Sequence, residues 1–77
     1  MPTVRVTVRL KPSLLDSAGR TVAGALGKLG FHEVDNVRIG KVIELQVKAA
    51  DDARLRAMCE QLLANPVIED YAIEVLP

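Results

Sequence analysis

Catalysis and metal binding both need particular side chains brought together, and this 77-residue sequence contains one histidine, His32, and one cysteine, Cys59. A general base needs a nucleophile to serve, and a zinc site needs several nitrogen or sulfur ligands, so neither residue finds a partner set in the remaining composition. His32 follows Gly30 and Phe31 and reads as a solvated loop residue. Cys59 shares helical spacing with Met58 and Leu62, where a thiol acts as a small hydrophobe. Only Arg56 is near it in sequence to activate it, so a core role is expected rather than a nucleophilic one. Glu69, Asp70 and Glu74 are acidic enough to suggest a divalent ion, but adjacent strand residues point to opposite faces and cannot chelate together. The sequence therefore predicts no catalytic, cofactor-binding or metal residue.

Arg38-Ile39-Gly40-Lys41 carries two cations around a glycine. A phosphate cradle would need a glycine-rich loop opening a helix, whereas this glycine interrupts a strand pattern. A hairpin turn with solvated basic flanks is the reading, with a partner-binding tip as its alternative. Leu14 and Leu15 are adjacent apolar residues in a segment without strand or helix period, and they either fold back under the following helix or dock on another chain. The same segment offers Lys11, Ser13 and Arg20 to an anion, as a small phosphatase would need, but no glycine nest accompanies them.

Behind these residues lie six expected elements. Thr3 to Leu10 alternates strictly, with Val4, Val6, Val8 and Leu10 on one face and Thr3, Arg5, Thr7 and Arg9 on the other, which is a half-buried strand. Val22, Ala25, Leu26 and Leu29 then follow helical spacing behind a capping Asp16 or Ser17, and Gly30 stands where a left-handed cap would end the helix. Alternation resumes over Val34 to Ile39 and Val42 to Ala49, predicting a hairpin about Gly40. Asp51 or Asp52 caps a second helix whose Leu55, Met58, Cys59, Leu62 and Leu63 share a face, and Asn65-Pro66 stops it. A last strand spans Ile68 to Leu76, with Tyr71, Ile73 and Val75 on one side. The predicted fold is α+β: a ferredoxin-like βαββαβ arrangement in which two helices cover one face of a four-stranded antiparallel sheet and the first strand lies between the third and fourth. The open face would carry Arg5, Thr7, Arg9, Glu44, Gln46, Lys48 and Glu74, where arginines flanked by glutamates can form cross-strand pairs.

Ten basic and ten acidic residues balance to zero, and one Phe, one Tyr and no Trp leave little to stack on bases, so nucleic-acid binding is not expected. A lone cysteine makes no internal disulfide, and no apolar run is long enough for a membrane span, so a cytoplasmic protein of one domain, residues 1–77, is the expectation.

The first strand ending in Leu10-Lys11, the "LLDSAGRTVAGALGKLGF" helix entry, the "VDNVRIGKVIEL" block and the "CEQLLANPVIEDYAIEVL" ending together resemble the PurS family over essentially the whole chain. Asp16-Ser17 stands where the family often has Asp-Pro, a change that keeps the capping chemistry. The resemblance implies a small, non-catalytic subunit of phosphoribosylformylglycinamidine synthase, the amidotransferase of de novo purine synthesis. Such a subunit joins a PurQ-type glutaminase, which releases ammonia from glutamine, to a PurL-type synthetase, which uses ATP and magnesium, and it assists the passage of ammonia. It implies no cofactor in this chain, and small edge-bearing domains of this kind are expected as a homodimer or dimer of dimers. On that reading Arg38, Gly40, Lys41, Leu14 and Leu15 are candidates for the partner interface, Gly40 making the turn. The rival from another class is a regulatory domain of the same fold that binds a small effector.

Overall fold

A computed structural model describes residues 1–77. The chain runs β1 (Thr3–Leu10), α1 (Ser17–Lys28), β2 (Gly40–Gln46), α2 (Asp52–Met58), a π-helical turn (Cys59–Leu63) and β3 (Glu69–Leu76). The strands form one antiparallel sheet in the order β2-β1-β3, so β1 is central as expected. Its alternation works on both sides: Val4 lies opposite Leu45 and Val75, and Val6 opposite Ile43 and Ile73. Val4, Val6 and Val8 are buried under Leu55, Cys59 and Ala64, with Ile43, Leu45, Leu63, Tyr71 and Ile73 packed around them. Each fully buried valine contributes about 1.5–3 kcal/mol. On the other face Arg5 reaches Glu44 at 3.1 Å and Glu74 at 3.5 Å, the cross-strand pairs that the register requires.

Asp51 caps α2 by accepting from the Ala53 amide at 3.0 Å, and Asp52 pairs with Arg56 one turn on. After Cys59 the helix widens: the Ala64 amide donates to the Cys59 carbonyl, an i to i+5 bond of 2.8 Å. The extra residue in that turn rotates the following side chains. Leu62, expected in the core, is 83% exposed, and Ala64 is buried in its stead. Asn65 then closes the segment, its side chain accepting from the Val67 amide while Glu69 accepts from the Asn65 amide at 2.7 Å.

Three expectations are corrected. The sheet has three strands, because residues 34–39 form no ladder. The outer edge of β2 stays unpaired, and this segment instead crosses the first turn of α1, where the Asp16 carboxylate accepts from the Ile39 amide at 2.7 Å. A side chain thereby takes a donor that a strand partner would need. Gly40 makes no hairpin turn. It is the first residue of β2, opposite Arg9, and the only glycine with positive φ is Gly30, at 100°. Gly40 is required by proximity instead, since a Cβ there would stand 2.5 Å from the Val8 carbonyl oxygen and 2.6 Å from Arg9 Cγ. Finally, the two helices do not share the core: no α1 side chain belongs to the cluster that Leu55, Cys59 and Ala64 form on β1, or to the residues packed around it.

The helix α1 is nonetheless well terminated. Asp16 accepts from the Gly19 amide at 2.8 Å. At the other end Phe31 N–H bonds the Leu26 carbonyl and Gly30 N–H the Gly27 carbonyl, a Schellman motif closed by the left-handed Gly30. Buried Gly19 and half-buried Ala23, Leu26 and Gly27 form its more covered face, whereas Val22, Ala25 and Leu29 are exposed. The protomer is consequently long, 47 × 28 × 14 Å, with a radius of gyration of 15.6 Å. A compact chain of this length would have about 11.5 Å.

Candidate functional site

The β1–α1 loop, the first turn of α1 and the segment before β2 meet at one end of the sheet. Lys11 N–H bonds the Ile68 carbonyl at 2.9 Å, Leu14 N–H turns back to the Lys11 carbonyl, and Lys11 Nζ stands 3.9 Å from Asp70. Asp16 then ties the helix start to Ile39, and Arg38 reaches across to donate from Nη2 to the Leu10 carbonyl. Between these strands of chain lies an open cleft of about 350 Å³, lined by Pro12, Leu14, Leu15, Asp16, Arg20, Asn36, Val37 and Arg38.

Three of the five sequence-predicted interface residues, Leu14, Leu15 and Arg38, are therefore brought together. Gly40 and Lys41 are not: they lie in β2, opposite Arg9 and Val8. Leu14 and Leu15 do not fold under the helix and remain exposed. Arg20 and Asn36 join them through a crossing of chain segments that no local pattern announces. Gly19 is the residue that permits it, since a Cβ there would lie 2.2 Å from the Val37 carbonyl oxygen.

The cleft is cationic and apolar. The chain's ion pairs use Arg5, Lys11 and Arg56, and neither Arg20 nor Arg38 belongs to one. The Asp16 carboxyl is held below its ordinary pKa, chiefly by the Gly19 amide, next by the Ile39 amide, and further by the charge of Arg38. It therefore lines the cleft as an anion whose oxygens are already engaged.

Elsewhere, no three of the His, Cys, Asp and Glu side chains converge. Burial raises the Cys59 thiol pKa, the neighbouring Glu60 adds to it, and Arg56 opposes both. A thiol held protonated is a weak nucleophile. Tyr71 donates to Glu60 at 2.8 Å, which raises its pKa as well, a bond that fastens the π turn to β3. A second, apolar hollow is bounded by Leu45, Met58, Gln61, Leu62 and Leu63. No helix is long and apolar enough to cross a membrane.

The family model for PurS, phosphoribosylformylglycinamidine (FGAM) synthase, matches residues 3–77. The chain belongs to the PurS family. It is 51% identical over 75 residues to the phosphoribosylformylglycinamidine synthase subunit PurS of Synechocystis, covering 92% of this chain and 75% of that one. Among solved structures, Bacillus subtilis PurS superposes with a TM-score of 0.92 at 48% identity, each chain covered in full. A chain in the structure of PurLQS from Thermotoga maritima superposes with a TM-score of 0.80 at 30% identity, covering 99% of this chain and all of that one. This member of the family is thus an α+β protomer with a three-stranded sheet, and the cleft sits on it where the loop, the helix start and the pre-β2 segment converge.

Proposed function

We propose that this chain is the assembly subunit of a phosphoribosylformylglycinamidine synthase, joining a PurQ-type glutaminase to a PurL-type synthetase in the cytoplasm and assisting ammonia transfer between them. The observation that carries this reading is the whole-length likeness to a chain within PurLQS. The chemistry agrees: a core thiol held protonated, an Asp16 carboxylate engaged by two amides and a cationic, leucine-edged cleft suit contact with proteins better than turnover. ATP and magnesium belong to the synthetase subunit. Leu14, Leu15 and Arg38 form the partner rim around the cleft, and Lys41 is exposed apart from it on the β2 edge.

The same reading makes the chain a homodimer or a dimer of dimers. Its accessible surface is 5725 Å². A compact monomer of its mass would expose about 4,600 Å². The excess of about 1,100 Å² is of the size one partner buries in a specific interface, about 800 Å².

Alone, the chain neither hydrolyses glutamine nor consumes ATP. Added to the glutaminase and synthetase, it raises glutamine-dependent amidine formation, because holding two sites in one complex replaces diffusion of free ammonia with a high effective concentration. Reaction fed by external ammonium depends on it much less. Both rates, measured with and without the chain at matched partner concentrations, test this: no stimulation of the glutamine-fed rate overturns the assembly reading, and equal stimulation of both replaces it with an effect on the synthetase itself.

A further inference from the structure

Neither guanidinium group of the cleft is within ion-pair distance of a carboxylate, in a chain whose net charge is zero. Arg38 is oriented by its bond to the Leu10 carbonyl, which leaves most of its donors free, and Arg20 projects from the first turn of α1 with its side chain bonded to nothing. Asp16 cannot serve as their counter-ion in full, because its two oxygens accept from Gly19 and Ile39. Leu14 and Leu15, both exposed, stand beside these cations, and Pro12 and Val37 complete the wall. An inorganic anion would use the arginines and leave the leucines wet. A protein segment uses both.

Resting on the assembly reading, we propose that this cleft receives an acidic side chain of a partner subunit of the synthase, carried next to an apolar residue: the carboxylate meets Arg20 and Arg38, and the apolar side chain lies against Leu14 and Leu15. Guanidinium is suited to this, since its planar fork binds a carboxylate through two parallel hydrogen bonds. The charge complementarity makes the contact salt-dependent and sets the register of docking.

The experiment titrates the chain against the purified synthetase and, separately, the purified glutaminase, at low and high salt. Wild type is compared with Arg20→Gln, with Arg20→Gln/Arg38→Gln, and with Leu14→Ser/Leu15→Ser. Arg38 also holds Leu10, so the Arg20→Gln variant, whose side chain bonds nothing in the protomer, keeps the test independent of folding. With one of the two subunits, Arg20→Gln weakens binding several-fold and the double arginine variant by tenfold or more, the salt dependence shrinks, and the leucine variant weakens binding at unchanged salt dependence. Self-association of all variants stays at the wild-type level. Wild-type affinity in the arginine variants overturns the proposal while leaving the assembly reading intact, whereas a wild-type chain that binds neither subunit overturns both. Loss of self-association in the arginine variants makes a second copy the occupant, and saturable binding of inorganic phosphate at the cleft, followed by NMR shifts of Arg20 and Arg38, makes it a small-anion site; either result overturns the proposal.

Discussion

Asp16 divides its two carboxylate oxygens between distant parts of the chain, Oδ1 accepting from Gly19 and Oδ2 from Ile39, so that one residue both caps α1 and fixes the segment entering β2. Capping was readable from the sequence, since Asp before a helical pattern is a common N-cap. The second bond spans 23 residues and has no local signature. It has a pH consequence. The folded-state pKa of Asp16 lies below its unfolded value, so its contribution to stability is present above the unfolded value and lost as pH falls through the folded one. Asp16→Asn keeps the shape but turns one acceptor into a donor. The variant is less stable than wild type at pH 7, and the gap narrows as the pH is lowered below about 4, where the unfolded chain's carboxyl takes up its proton, and is lost as pH falls through the lower folded-state value. Urea midpoints of both proteins at neutral and acid pH check this, and a gap that does not change with pH excludes the ionised carboxylate as the cause.

At the level of elements, β1, β3 and the caps of both helices follow from patterns that act within a few residues: alternation in Val4-Val6-Val8, Asp51 before α2, Gly30 after α1. What the pattern misses depends on distant geometry. Val34 to Ile39 alternates, yet it forms no ladder with the free edge of β2, because Asp16 takes the Ile39 amide and the Val37 carbonyl passes over Gly19 at the start of α1. The apolar stripe of α1 announces a face to be covered but not what covers it. The π turn leaves no compositional mark, and it moves Leu62 out of a face that its spacing assigns to the core. Gly40 is a case of the right residue for the wrong reason, because its constraint is the approach of β1 rather than positive φ. Gly40→Val must therefore displace the Val8 carbonyl or Arg9 and costs about 1–3 kcal/mol as an overpacked strand contact. Gly24, in mid-α1, has nothing within 4 Å of where a Cβ would be, so Gly24→Ala stabilises by up to about 1 kcal/mol through helix propensity. Chemical denaturation of the two variants separates the cases by sign, and a Gly40→Val protein as stable as wild type contradicts the close approach.

For the whole molecule, the question is what completes a protomer in which only 7 of 77 residues are buried. Leu29 is 73% exposed at the end of α1, Val22 lies on the same stripe, and a hollow edged by Leu45, Met58, Leu62 and Leu63 is open at the other end of the core. Exposed apolar surface on this scale marks association rather than a finished surface. If the protomer were complete, Leu29→Glu would touch nothing and change stability by no more than about 0.5 kcal/mol. On the self-association reading it instead places a charge in an interface, with two readouts. Sedimentation at micromolar concentration finds wild type at two or more times the protomer mass of 8.4 kDa and the variant shifted toward one. Wild-type Tm rises with protein concentration, as mass action requires for a protein stabilised by its own association, and the variant's Tm is lower and depends on concentration less. Circular dichroism at high concentration shows that the variant still folds. A wild-type chain that sediments at 8.4 kDa, with a Tm independent of concentration, removes the basis for self-association and leaves the exposed face of α1 to the partner subunits.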